Sequence, residues 1–150
     1  MNVKIKKLHP EATIPVYAKP GDSGFDLVAL EDVIISPGKT MKVPTGLAFE
    51  IPEGYEMQIR PRSGLTLNSK LRVQLGTVDA GYRGEVGIIV DYLNDGDDLM
   101  NMFVMNNVKI EKGMKIAQGV IAPVVRVSFE EAEELSDSER GDGGFGHTGL

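Results

Sequence analysis

Gly76-Thr77-Val78-Asp79-Ala80-Gly81-Tyr82-Arg83-Gly84 separates two apolar runs, Leu71 to Leu75 and Val86 to Val90. Both runs are rich in β-branched residues, so they read as strands. The glycines between them permit tight turning and positive φ, and the whole segment predicts a hairpin. Its bend carries a carboxylate (Asp79), a phenol (Tyr82) and a guanidinium (Arg83). A carboxylate in such a place can take a proton from water, and a phenol ring can lie flat against a ligand. An ordinary polar hairpin end is the plainer reading of this stretch taken alone.

The same rhythm continues outward from the bend. Val3 and Ile5 alternate with Lys4 and Lys6, the period-2 pattern of an opening strand with one wet face. Val33 to Ile35, a Ser36-Pro37-Gly38-Lys39 turn and Thr40 to Val43 suggest a strand pair. Leu47 to Ile51 is a further strand stopped by Pro52-Glu53-Gly54, and Tyr55 to Ile59 follows with apolar residues at alternate positions. Beyond the bend, Phe103 to Ile110 is a strand with a polar interruption at Asn106-Asn107, Ile116 to Ile121 is another, and Val124 to Phe129 closes the folded body. Short strands and turns in this succession predict an all-β sandwich or barrel. The break in the rhythm is Arg60-Pro61-Arg62-Ser63-Gly64-Leu65, where Ser63 reads as the N-cap of a short helix over Gly64 to Lys70. Phe129, Ala132 and Leu135 could line one face of a turn or two of helix within Glu130 to Glu139, a piece too short to stand unsupported.

A chain of 150 residues is most simply one domain with a real core. Its 18 glycines and 8 prolines favour turns over long helices. The net charge of -6 argues against a general nucleic-acid binder, whose footprint is basic. Any anionic ligand must therefore be met by locally placed Arg, Lys and backbone N–H groups. No cysteine is present, so no disulfide staples the fold, which fits a cytoplasmic protein. The N-terminus lacks a signal-like apolar core and no apolar run reaches membrane-spanning length, so a soluble protein without a membrane partner is expected.

Three further stretches carry candidate chemistry. Lys19 to Leu27 is a glycine-punctuated loop with two carboxylates, Asp22 and Asp26, either able to hold a hard cation such as Mg²⁺; a solvated turn is the alternative. At Arg62-Ser63-Gly64, a helix N-terminus, a guanidinium, a hydroxyl and an unhindered backbone make a phosphate site physically reasonable, against a merely capped helix. The tail, Arg140 to Leu150, has five glycines between 141 and 149, so it is expected to be mobile until something binds. Its glycines could wrap a phosphate and Phe145 could stack on a base. Gln118 is the one strongly polar residue of its strand, and Asn94-Asp95-Gly96-Asp97-Asp98 reads as an acidic turn, lacking the Glu of a calcium loop.

Five stretches, in order, resemble the trimeric deoxyuridine triphosphate nucleotidohydrolases, the dUTPases. They are Ser23 to Leu27, Arg60 to Gly64, Gly76 to Asp79 with Tyr82 to Gly84, Gly113 to Gln118, and Arg140-Gly141 with Gly143 to Gly149. The resemblance implies an all-β, distorted jelly-roll subunit over residues 1–139, with residues 140–150 as a flexible arm closing the active site. It further implies a homotrimer with shared active sites that splits dUTP into dUMP and pyrophosphate with Mg²⁺. By matching positions, Asp79 is the expected general base and Tyr82 the wall against the deoxyribose. Gly76, Thr77 and Val78 are expected to present backbone to the uracil edge. Arg62, Ser63, Gly64 and Gln118 are expected to hold phosphates, and Asp26 to orient Mg²⁺ through water. Phe145 is expected over the uracil, with Arg140, Gly146, His147 and Thr148 gripping the triphosphate.

The chain departs from the family pattern in places. Ala80-Gly81 replaces a common acidic residue before the Tyr, Gln74 is the nearest polar residue where an Asn is usual, and His147 stands for a Ser. Asp95 to Asn107 is longer than in compact members. The rival readings are a dCTP deaminase of the same fold and a non-catalytic trimeric nucleotide-binding or regulatory scaffold. The tail and the Tyr82 context favour the hydrolase over the first, and Asp79 favours it over the second.

Overall fold

The computed structural model describes residues 1–93 and 107–143. In chain order the described elements are β1 (Lys4–Lys7), β2 (Phe25–Val28), β3 (Val33–Ile35), β4 (Thr40–Pro44), β5 (Leu47–Glu50), β6 (Tyr55–Pro61), α1 (Ser63–Asn68), β7 (Leu71–Val73), β8 (Gly76–Val78), β9 (Gly87–Tyr92), β10 (Val108–Ile110) and β11 (Lys115–Pro123). The all-β expectation, with one short helix after β6, is what the structure shows. Strands form because alternate side chains find a core. Phe25 and Leu27 of β2 are buried between half-buried Asp26 and Val28, and Val33 and Ile35 of β3 flank an exposed Ile34.

Four antiparallel groups carry the fold. The largest sheet runs β2-β11-β6-β8, a second runs β4-β9-β7, and β1-β5 and β3-β10 are two-stranded. Their inner faces meet in one core that includes Leu27, Ile35, Val43, Phe49, Met57, Leu71, Ile88, Val90, Ile110 and Ile116. Phe25 stacks on Phe49 with ring centroids 6.3 Å apart and takes an edge contact from Tyr17 at 5.7 Å. Thr45, the one buried polar residue among the described residues, is satisfied by donating its hydroxyl to the Val86 carbonyl at 2.6 Å. Among the described residues no helix is long and apolar enough to cross a membrane.

Several local expectations are corrected. The run around the bend is not one hairpin. Leu71 and Val73 of β7 do pair with Tyr92 and Val90 of β9, but by Gly76 the chain has changed sheets and faces Ile59 of β6. Apolar periodicity reports burial, not which sheet a residue joins, so β7 and β8 look continuous in sequence. For the same reason Val33 to Ile35 and Thr40 to Val43 look like partners, whereas β3 pairs with β10 and β4 with β9. Ser63 is not the helix N-cap: Arg62 holds that position in an extended conformation, makes no side-chain cap bond, and Ser63 is the first helical residue. The helix stops at Asn68 rather than Lys70. Asn68 and Ser69 side chains donate to the carbonyls of Gly64 (2.9 Å) and Leu65 (2.7 Å), replacing the backbone bonds a longer helix needs.

Val124 to Phe129 does not close the body either. Every residue from Pro123 to Asp142 is exposed, with Val125 at 86% and Phe129 at 95%, and no helix forms over Glu130 to Glu139. Val124 keeps one tie, its N–H to the Gly54 carbonyl at 2.8 Å.

Candidate active site

A cavity of about 380 Å³ opens where three expected stretches converge. The loop entering β2 contributes Asp22, Ser23 and Gly24 with Asp26 just beyond, the junction of β6 and α1 contributes Arg62, Ser63 and Gly64, and β11 contributes Lys115 and Gln118. Strand order explains the meeting. β11 lies between β2 and β6, and Gln118 stands opposite both Asp26 and Arg60.

The Asp26 carboxylate is held from both sides. One oxygen pairs with Arg62 Nε at 3.0 Å and the other with Lys115 Nζ at 2.7 Å. Arg62 reaches further, donating from Nη1 to the Lys115 carbonyl at 2.9 Å. The helix begun by Ser63 is six residues long, so the cavity's positive charge comes from these guanidinium and ammonium groups, not from a helix dipole. Gln118 is oriented by its own bond, Nε2 donating to the Pro61 carbonyl at 3.0 Å. Gly24 packs tightly beside it: a Cβ there would lie 2.7 Å from Gln118 Oε1, so a side chain would displace the amide. Asp22, the other loop carboxylate, accepts the Lys19 N–H at 2.8 Å and so serves the turn.

The Asp79 bend lies elsewhere on the chain. The Tyr82 N–H closes a turn onto the Asp79 carbonyl at 3.0 Å. The Asp79 side chain is exposed, with no hydrogen-bond or ion-pair partner among the described residues. The Tyr82 hydroxyl donates to the Glu85 carbonyl at 3.0 Å, which folds the ring over Gly84; any Cβ at Gly84 would collide with that ring. Arg83 turns its guanidinium onto the carbonyls of Ala80 (2.5 Å) and Tyr82 (2.9 Å), so it braces the loop. Gln74 donates to Asp91, which also accepts the Thr40 hydroxyl at 2.6 Å. Those bonds hold the Asp91 carboxyl below its usual pKa, the Thr40 hydroxyl contributing most. Gln74 thus ties β7 to β9 rather than facing the bend.

Strand register measures the separation. Val78 faces Met57 of β6, and the same register continued past the end of β8 sets Asp79 beside Glu56, six residues before Arg62, which directly follows β6. At strand spacing that is roughly 20 Å. Within one chain the cavity and the bend therefore lie apart. Arg140 is not part of the cavity lining, and its Nε donates to the Gly143 carbonyl at 2.9 Å. Phe145, Gly146, His147 and Thr148 lie outside the described residues, as does the Asn94 to Asn106 part of the acidic turn and insertion.

The model of the family described as dUTPase matches residues 10–149. The chain belongs to the dUTPase family. It is 51% identical to the deoxyuridine 5'-triphosphate nucleotidohydrolase of Gloeothece citriformis, covering 100% of this chain and 98% of that one. It is likewise 51% identical to the enzyme of that name from Clostridium tetani, over 98% of this chain and 96% of the relative. Among solved structures, the dUTPase of Staphylococcus bacteriophage 80alpha with dUpNHpp aligns at a TM-score of 0.88 and 31% identity, covering 99% of each chain. A variant of the dUTPase from phage phi11 of S. aureus, described for its coordination of a structural Mg(II) ion, aligns at 0.79 and 26%, over 89% of this chain and 98% of that one. Family membership favours the hydrolase reading over the deaminase.

The donor chemistry of the cavity suits magnesium in a limited way. No cluster of three metal-ligating side chains exists among the described residues. Asp26 offers one hard carboxylate at the cavity wall, and Mg²⁺ commonly uses one or two carboxylates with water and substrate phosphates.

Lys115 is a cavity residue that was not among the candidates expected from the sequence. Its basic charge two residues ahead of the strand's Ala117-Gln118 was the available signal.

Proposed function

We propose that this chain hydrolyses dUTP to dUMP and pyrophosphate. The observation that carries the proposal is the cavity in which Asp26, Arg62 and Gln118 converge, in a chain that the dUTPase family model spans almost end to end. Water attacks the α-phosphorus, the bond from that phosphorus to the α,β-bridging oxygen breaks, and pyrophosphate leaves with the bond's electrons. Asp79 takes the proton from the attacking water. Such transfers ask mainly for positioning and charge neutralisation. Arg62, Ser63, Gly64 and Gln118 bind the phosphates, and Asp26 would hold Mg²⁺ through water. The metal, when bound, supplies positive charge against the phosphate oxygens.

Tyr82 packs against the deoxyribose and leaves no room for a 2′-hydroxyl. The backbone of Gly76, Thr77 and Val78 reads the uracil. The roughly 20 Å between Asp79 and Arg62 supports a homotrimer in which the bend of one subunit faces the cavity of another. The exposed run from Pro123 to Asp142 supports residues 140–150 as an arm carried away from the 1–139 body, with Arg140, Phe145, Gly146, His147 and Thr148 closing over the nucleotide. The reading places the enzyme inside the cell, where dUTP arises.

The test is incubation with dUTP, UTP, dTTP and dCTP in Mg²⁺, following pyrophosphate and ammonia. Pyrophosphate from dUTP alone is expected. Ammonia from dCTP would reinstate the deaminase, and binding without turnover would reinstate the scaffold.

A further inference from the structure

We infer that Lys115 is a second phosphate-binding cation of this site, placed there by a β-bulge and held ready by Asp26; the inference rests on the dUTP-hydrolase reading.

In a regular strand, residues three apart point to opposite faces. Lys115 and Gln118 are three apart, yet both line the cavity. The register explains this. Lys115 faces Val28 of β2 and Ala117 faces Leu27, so β11 spends two residues where β2 spends one. Ile116 is the extra residue, and Ile116 and Ala117 are both fully buried, which two successive residues of an unbulged strand exposing one face would not be. Bulges re-aim side chains in this manner. Without it, alternation puts Lys115 and Gln118 on opposite faces.

Once in the cavity, the ammonium is positioned but not used up. Its Nζ lies 2.7 Å from Asp26, and the side chain remains 53% exposed. An ammonium carries three donors, and one suffices for Asp26. Asp26 simultaneously holds Arg62, so one carboxylate aligns two cations side by side. The Arg62 bond to the Lys115 carbonyl fixes the bulge itself as part of the assembly. Of the charged residues lining the cavity, Asp22 and Asp26 balance Arg62 and Lys115. Removal of the Lys115 charge leaves the cavity net negative, a poor place for a polyphosphate.

The test compares binding of the imido analogue dUpNHpp with binding of dUMP, by calorimetry on the full chain. Lys115→Met keeps the apolar stem and removes the charge. It should weaken dUpNHpp by about tenfold and dUMP by about twofold or less, since a charge-assisted contact is lost only where β- and γ-phosphates are present. Lys115→Arg should restore dUpNHpp affinity to within about threefold. Lys109→Met, which removes a lysine paired with Asp32 away from the cavity, should change neither ligand. Unchanged dUpNHpp affinity in Lys115→Met overturns the inference. So does an equal loss for both ligands, or an equal loss in Lys109→Met. If Lys115→Met does not fold, Lys115→Gln and the Lys115→Arg value decide by the same comparison. A wild-type chain that hydrolyses dUTP while Lys115→Met binds normally sinks this inference alone. A wild-type chain that leaves dUTP intact but binds dUpNHpp through Lys115 sinks the hydrolase reading alone.

Discussion

Mixing two inactive variants tests the division of the site most directly. Asp79→Asn removes the proton acceptor and leaves the cavity intact. Arg62→Met breaks the cavity's link to Asp26 and leaves the bend intact. Asp79 follows β8 and Arg62 follows the neighbouring β6, and at roughly 20 Å apart the two are too distant to meet at one α-phosphate if each serves the site of its own chain. If two neighbouring subunits supply them, a random mixed trimer from equal amounts of the variants regains a complete site wherever an intact bend meets an intact cavity. For independent choice of the two subunits that is about a quarter of all sites. Each variant alone has no such site. The assay is to unfold and refold the two together, verify mixed trimers by native mass, and measure pyrophosphate release from dUTP. Recovery near a quarter of wild-type turnover is expected. No recovery, with mixed trimers present, would refute the shared site and require the bend to reach the cavity of its own chain.

Four further outcomes follow from particular contacts. Asp79→Asn alone should lower turnover by about 10²–10⁴, the usual worth of a general base, with dUpNHpp affinity retained; near-normal turnover would mean another group takes the proton. Gly24→Ala should raise the KM for dUTP and lower Tm modestly, since its Cβ displaces Gln118; unchanged kinetics would show that the Gln118 orientation is dispensable. Deleting Arg140 to Leu150 should leave Tm nearly unchanged and cut turnover severely, because the chain is already exposed from Pro123 to Asp142; a large Tm loss would make the arm part of the body. For Asp91, a folded pKa below the ordinary 3.8 means its stabilisation is present above that value and lost as pH falls through the lower folded value. The Tm gap between wild type and Asp91→Asn should therefore shrink on acidification below about pH 4, and a gap independent of pH would contradict the assignment.

Burial and local chemistry were legible in the sequence; partnership was not. Alternation at Phe25 and Leu27 or Met57 and Ile59 announces strands because each needs only its own core-facing side. Which strand meets which depends on distant residues, so β3 and β4 looked paired and the β7-to-β8 change of sheet was invisible. The helix limits failed for a related reason. Ser63 has the chemistry of a cap, but Arg62 is drawn to Asp26, a contact 36 positions away in the chain that no local rule contains. Lys115 was missed because a bulge leaves no mark on composition. Asp26 and Gln118 stood out as polar residues in a glycine-punctuated loop and an apolar strand, and Arg62 as a guanidinium beside a hydroxyl and a glycine at an expected helix start; the structure brings all three to one cavity.

An acidic protein that binds a polyanion needs an explanation in local terms. The net charge of -6 is spread over a surface where salt screens charges more than about 10 Å apart. Within the cavity the balance differs. Two cations converge on one carboxylate, and the remaining loop carboxylate is engaged with a backbone N–H. Asp26 thus does two things that oppose each other electrostatically: its charge offsets one of the cavity's two cations, and it fixes Arg62 and Lys115 in place before substrate arrives. The second outweighs the first for a phosphate ligand, because long cationic side chains lose rotamer freedom when they bind, and a cation already aligned has less left to lose. On this argument Asp26→Asn should weaken polyphosphate binding even though it makes the cavity more positive. Tighter dUpNHpp binding by that variant would show that net charge, not alignment, governs the site.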